Sequence, residues 1–207
     1  MARKRAGLAV QDVAPQGVLR PLKQPLYDTT TYPIAGAAQM MFFTIPLGQA
    51  MPVTGVAKQL SDTNLQQASQ LGTPNTFELY GFKFKYQQSV LIANDYALMY
   101  DTGVFTFSFG QQRPWLQVPL TRIPAGPMPT GNNTLDGNAA PGAEIYSLAN
   151  GPSTTDSYYN FTIKRQSILI NSNEVFSASI TYPLGVVAVT ANARIQVYLV
   201  GIYNRAI

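Results

Sequence analysis

The sequence predicts an all-β protein, a sandwich of two packed sheets. Three observations predict it. Apolar and polar residues alternate at the two-residue period of a strand through most segments after residue 25, these segments are short and bounded by proline, glycine or asparagine, and helical periodicity is confined to two brief stretches. The composition agrees, with 46% hydrophobic residues and only 12% charged, about half the usual charged share. For 207 residues one β domain is expected in preference to two small ones. A chain of this length buries roughly 70% of its unfolded surface without covalent staples.

The first 25 residues read as an extended basic arm. They hold Pro15, Pro21 and Pro25, Gly7 and Gly17, and no apolar period. Fully extended, they reach roughly 80 Å at about 3.3 Å per residue. Residues 26–207 then form the sandwich domain. Residues 38–47 (AQMMFFTIPL) are a continuous apolar run ended by Pro46 and Gly48, which predicts a strand buried on both faces. Residues 61–71 (SDTNLQQASQL) offer an N-cap at Ser61 or Asp62, with Leu65 and Ala68 three apart, and predict a short helix.

Residues 76–90 alternate, with Phe82, Phe84 and Tyr86 on one face and Lys83 and Lys85 on the other. A second helical turn is expected over residues 93–100. Residues 104–110 repeat the alternation through Phe105, Phe107 and Phe109, and residues 115–120 lie between Pro114 and Pro119, which marks an edge strand.

The late strands follow. Residues 158–170 contain Tyr159, Phe161 and Ile163, then Ile168 to Ile170 beyond Lys164 and Arg165. Residues 175–182 set Phe176, Ala178, Ile180 and Tyr182 against Ser177, Ser179 and Thr181. Residues 194–204 align Ile195, Val197 and Leu199, and carry Tyr198, Val200 and Ile202 on the other face, so both faces are expected to be covered. About eight strands result, which suits two sheets. Between them, residues 123–142 hold four prolines and four glycines, and residues 149–157 are similar; long loops of this kind carry function or lack order.

Charge is unevenly placed. Arg3, Lys4, Arg5, Arg20 and Lys23 face Asp12 alone in residues 1–25, so the whole formal charge of +4 belongs to the arm and the remainder nets zero. These five cations are the candidate contact for a polyanion, with a genome and an anionic membrane both satisfying the chemistry. Five neutralised phosphates predict a loss of roughly 10²–10³ in affinity between 50 and 200 mM salt.

There is no cysteine and no histidine. Disulfide frameworks, thiolate metal sites and imidazole acid–base chemistry are therefore excluded. No cofactor or metal site is expected. Met1 to Arg5 is basic, but no long apolar segment follows, so no signal peptide or membrane span is expected. Asp95 and Asp101 are close in sequence and Glu144 and Asp156 lie near loops, which leaves a two-carboxylate glycosidase as one reading; scattered singly, the acids read better as turn residues, as in Asp101-Thr102-Gly103 and Asp136-Gly137. The glycines around Gly126 lack the lysine and helix of a phosphate loop. Bases and aromatics interleave at Phe82-Lys83-Phe84-Lys85-Tyr86, as in single-strand binders, but alternation puts them on opposite faces.

One order of segments resembles a known family. Leu26-Tyr27-Asp28-Thr29 precedes Met41-Phe42-Phe43-Thr44-Ile45-Pro46, then Asp62-Thr63-Asn64-Leu65, Gln70-Leu71-Gly72-Thr73-Pro74 and Phe77-Glu78-Leu79-Tyr80-Gly81-Phe82. This resembles the jelly-roll capsid proteins of tailless icosahedral bacteriophages, including those with an internal membrane, over about half the chain. Residues 193–205 are similar to the last strand of such barrels. Double jelly-roll subunits would need about twice as many strands, so the resemblance implies a single jelly-roll β-sandwich of about eight strands with a basic N-terminal arm and long loops. It implies a non-enzymatic shell protein of the virion. Its partners would be copies of itself and any accompanying capsid protein, with genome nucleic acid or an internal membrane met by the arm and no small-molecule substrate. Two other classes fit a sandwich: a decoration, spike or receptor-binding protein, and a carbohydrate-active enzyme using the four carboxylates above.

Overall fold

Fourteen residues of alternating pattern near the C-terminus make the strand about which the first sheet is organised. The computed structural model describes residues 19–87, 93–110, 114–123, 158–160 and 167–206. Among these, the elements in order are β1 (Leu19–Leu22), β2 (Leu26–Tyr32), β3 (Gln39–Phe42), β4 (Thr76–Gln87), α1 (Ala93–Thr102), β5 (Val104–Phe109), β6 (Leu116–Pro119), β7 (Tyr159–Asn160), β8 (Ile168–Ile170), β9 (Phe176–Thr181) and β10 (Ala193–Ala206). A 3-10 turn at Leu120–Arg122 follows β6.

All pairings are antiparallel. β4 lies along one side of β10, while β1 and β2 share the other, β1 opposite residues 203–206 and β2 opposite 193–199. β7 and β8 share the far side of β4. Ten strands therefore fill eight positions, with β3–β9–β5–β6 as the second sheet. The protein is an all-β sandwich, as its patterning predicts.

The sheets meet through aromatic rings. Phe82 of β4 sits 5.0 Å from Phe105 and 5.1 Å from Phe107 of β5, and Phe84 sits 5.2 Å from Phe105. Edge-on and tilted contacts of this kind add to the roughly 1.5–3 kcal/mol that burying each ring contributes. Ile195, Val197 and Leu199 are buried as predicted, and so are Phe176, Ala178, Ile180 and Tyr182. Tyr198, Val200 and Ile202 are only half-buried, so the second face of β10 is less covered than expected.

β4 changes phase midway. Phe77 and Leu79 are buried before the change, Phe82 and Phe84 after it. The register runs from Val200↔Gly81 to Gly201↔Leu79, which leaves Tyr80 as the extra residue of a bulge. Opposite the bulge, a Cβ on Gly201 would stand 2.0 Å from the Glu78 carbonyl oxygen. Only glycine allows the two strands to close there.

Several expectations are corrected. The run at 38–47 is not a strand buried on both faces: β3 ends at Phe42, and Met41 is 41% exposed while Met40 and Phe42 are buried. The strand stops because Phe43 takes a left-handed φ of 66°. That conformation costs about 1–3 kcal/mol and is held by its surroundings. The Phe43 N–H donates to the Asp28 carboxylate at 2.6 Å, its carbonyl accepts from Ser69 N–H at 2.7 Å, and its ring packs 5.6 Å from Phe176.

No helix forms over 61–71. Its polar side chains bond to backbone elsewhere, the competition that keeps such residues out of helices. Asp62 accepts from Gln59 N–H at 2.9 Å, Asn64 accepts from Tyr27 N–H at 3.0 Å and donates to the Pro25 carbonyl at 2.9 Å, and Thr63 forms a bridge to Asp28. The segment thereby covers the free edge of β2, a position where an open edge would invite unwanted pairing. Among the described residues the α-helix is α1, where only a turn was expected, and Asp101 lies within it rather than in a turn with Gly103. Within the expected arm, Leu19–Leu22 pairs with β10 at the edge of the first sheet.

Candidate polyanion interface

Two of the five cations proposed from sequence lie among the described residues, and the sheet brings a third to them. Arg20 of β1 is directly opposite Arg205 of β10. Residues so paired stand on one face with Cβ atoms about 4.5–5.5 Å apart, and like charges there repel. Arg20, Lys23 and Arg205 are all exposed, and none forms an ion pair among the described residues. The neighbouring pair, Leu22 opposite Tyr203, shows that Arg205 continues the inward face of β10 past the end of the core, since the Tyr203 ring packs 6.4 Å from buried Phe77. Burial pushes the Tyr203 hydroxyl above its ordinary pKa of 10, and Arg205 draws it back. Two guanidinium forks on one rim can bracket a phosphate or carboxylate bidentately.

Arg3, Lys4 and Arg5 lie outside the described residues. Arg205 was missed in the sequence because nothing local marks it; it joins the group only through the β1–β10 register. Lys23 sits between β1 and β2 at the centre of the turn that Gln24 N–H closes by donating to the Leu22 carbonyl at 2.8 Å.

The acids go elsewhere. Asp28 and Lys58 form an ion pair at 2.6 Å with side chains 0% and 1% exposed. Burial lifts the Asp28 carboxyl above 3.8, against the pull of Lys58 and of hydrogen bonds from Phe43 and Thr63. Asp62 pairs with Arg194. Asp95, one of the four carboxylates weighed for catalysis, is buried at the start of α1 and accepts from Thr190 N–H at 2.8 Å and from its hydroxyl at 2.5 Å. Asp101 is exposed on α1, and Glu144 and Asp156 lie outside the described residues. Among the described residues no three acids converge as a metal site would require. As predicted, Phe82 and Phe84 are buried while Lys83 is half-buried and Lys85 exposed.

Neither protein-family models nor curated proteins nor solved structures offer a match to this chain.

Proposed function

We propose that this chain is a structural virion protein, a single jelly-roll subunit that assembles with copies of itself into an icosahedral capsid around the genome. The observation that carries the reading is the interleaved strand order. β1, β2, β4, β7, β8 and β10 fall in one sheet and β3, β5, β6 and β9 in the other, so six of the nine connections cross from sheet to sheet, as in two nested Greek keys. A fold alone leaves function open; the surface supports the rest.

At one end of the sandwich, residues 33–38 and 183–192 contain no charged residue. Ile34, Leu184 and Val186 are exposed there to 52%, 88% and 55%. The two loops are tied together, with Val189 N–H donating to the Ile34 carbonyl at 3.1 Å and Ile34 N–H donating to Asn192 Oδ1 at 2.8 Å. A fixed apolar tip without charge suits contact with a neighbouring subunit. At the β1 edge, Arg20, Lys23 and Arg205 suit a polyanion inside the shell, with Arg3, Lys4 and Arg5 adding to them. The role calls for no catalytic residue, cofactor or small-molecule substrate.

Negative-stain electron microscopy and sedimentation of the purified chain, with and without nucleic acid, test this. Closed shells or curved lattices are the expected result. A monomer that persists at high concentration in both conditions overturns it.

A further inference from the structure

The lysines of β4 do not keep the company their own strand suggests. Within β4, Lys83 and Lys85 point away from the phenylalanines, which removes any local mixing of bases and aromatics. The register restores it from other strands. Tyr198 of β10 lies directly opposite Lys83, and Tyr27 of β2 lies opposite Tyr198 on the far side. Three strands thus present Lys83, Tyr198 and Tyr27 in one row on the outward face of the first sheet, with Lys85 in the adjacent row opposite Gln196.

The rings are held in place. Tyr27 and Tyr198 stand 5.9 Å apart and tilted by 42°. The Tyr27 hydroxyl donates to the Leu60 carbonyl and the Tyr198 hydroxyl to Gln196 Oε1, each at 2.5 Å. Both residues are half-buried, whereas Gln196 in the adjacent row is buried against the Ser61 carbonyl. A third ring extends the surface. Gly81 lies two residues before Lys83, and a Cβ there would come within 2.3 Å of the Tyr158 ring; the glycine makes room for that ring against β4.

We propose that this outward face binds single-stranded nucleic acid, with Tyr27 and Tyr198 as stacking surfaces for bases and Lys83 and Lys85 on the phosphates. The chemistry is that of sequence-tolerant single-strand binders, which pair fixed aromatic faces with a cationic track. Along one strand face Lys83 and Lys85 are about 7 Å apart, and cross-strand neighbours about 5 Å apart bring each within reach of a base stacked on Tyr198. The lysines favour a charged ligand over a neutral glycan, which would use the tyrosines alone. The inference adds a contact on the face opposite Arg20 and Arg205, and rests on the capsid reading above for its place in the virion.

The test uses the full chain and a fluorescent oligothymidine of about twelve nucleotides, within the usual range of single-strand sites. Inorganic polyphosphate of equal charge, anionic phosphatidylserine vesicles and a neutral dextran serve as competitors. The chain is expected to prefer the oligonucleotide to polyphosphate. Tyr198→Leu should weaken oligonucleotide binding about tenfold, within the range for one lost stacking partner, and leave polyphosphate binding unchanged, while Tyr198→Phe should bind like the parent. Lys83→Gln with Lys85→Gln, a change to partly solvated side chains, should lower the salt slope by about 1.4.

Equal affinity for oligonucleotide and polyphosphate, an unchanged salt slope in the lysine variant, or displacement by vesicles or dextran as effective as by unlabelled oligonucleotide would each overturn the proposal. Should Tyr198→Leu fail to fold, the lysine variant and the polyphosphate comparison still decide. Shells that form normally while these binding results fail would remove this face and leave the capsid reading standing; stacking-dependent binding without shells would do the reverse.

Discussion

Replacing Lys58 with methionine tests how the long segment between β3 and β4 is held to the sheets. The side chains of Asp28 and Lys58 are fully buried, and the carboxylate receives Lys58 Nζ at 2.6 Å on one oxygen and the Phe43 N–H at 2.6 Å on the other. Methionine fills similar volume but leaves that carboxylate facing apolar atoms. Breaking a buried pair from one side costs about 3–5 kcal/mol, a large part of the roughly 5–15 kcal/mol that holds a domain folded. Asp28→Asn strands the ammonium and should cost a similar amount. The double variant keeps an acceptor for the Phe43 N–H and removes both charges, so it should lose less than the two singles together.

Urea unfolding at neutral pH measures this. With a slope of about 1–3 kcal/mol per molar urea, each single variant should shift its midpoint by about 1 M or more. Acidification supplies a second measurement. The native Asp28 carboxyl is raised above 3.8 by burial, so the native state binds this proton at a pH where the unfolded chain does not. This contribution to stability is therefore full below 3.8 and is lost as pH rises through the raised value. The stability difference between the parent and Asp28→Asn should accordingly grow as pH falls from neutral toward 3.8. Single variants that cost under about 1 kcal/mol, the value of an exposed pair, or a difference that shrinks on acidification, would refute the reasoning.

Three other outcomes follow from the packing. Gly201→Ala drives a methyl group into the Glu78 carbonyl across the bulge and should lower stability by about 1–3 kcal/mol or more, read from thermal or urea unfolding; an unchanged midpoint would mean the bulge can open at no cost. Asp95→Ala removes the acceptor of both the Thr190 N–H and its hydroxyl. It should cost about 1–3 kcal/mol, with faster hydrogen exchange at the Thr190 amide as the local sign. Arg20→Gln with Arg205→Gln should relieve the cross-strand repulsion and raise the melting temperature of the free subunit at low salt, while weakening its retention on a phosphate resin; a lowered melting temperature would show that the pair is not in repulsion.

The sequence showed those parts of the fold that local alternation encodes. Phe105 and Phe107, Phe176 to Tyr182, and Ile195 to Leu199 each repeat at period two over strands without interruption, and their buried faces were read correctly. Where the chain departs from the period, the reading failed for physical reasons. The apolar run at 38–47 carries no sign that Phe43 turns left-handed, because the contacts that hold it come from Asp28, Ser69 and Phe176. Residues 61–71 have helical spacing on paper, yet Asp62, Thr63 and Asn64 spend their side chains on β2 and β10, partners up to 132 residues away. The bulge at Tyr80 was legible in part: apolar positions shift from odd to even between Leu79 and Phe82. The candidate site was legible only as charge. Arg20 and Lys23 stood out in the arm, whereas Arg205 and the tyrosines beside Lys83 depend on strand register, which no single strand contains.

Register also governs where the charges of residues 26–207, which cancel formally, fall in the fold. Among the described residues five of their six acids accept hydrogen bonds within the fold, and Asp101 is exposed on α1. Asp28 holds Lys58 and Phe43, Asp62 holds Arg194 and Gln59, Asp95 holds Thr190, Glu174 accepts from Asn171 N–H at 2.8 Å, and Glu78 accepts from the Tyr80 hydroxyl at 2.8 Å. Most of these bonds fasten a turn or an irregular segment to itself or to a sheet, a task that suits an acceptor with two oxygens and several lone pairs. Lys85 and Arg205 are exposed instead. An acid bonded inside the fold keeps its charge but is oriented toward its partner, while an exposed cation is directed at solvent. On the capsid reading proposed above, a chain poor in charge lets neighbouring copies approach with little repulsion, while exposed cations stand on both faces of the first sheet, Lys85 on the outward one and Arg20 and Arg205 at the rim of the inward one.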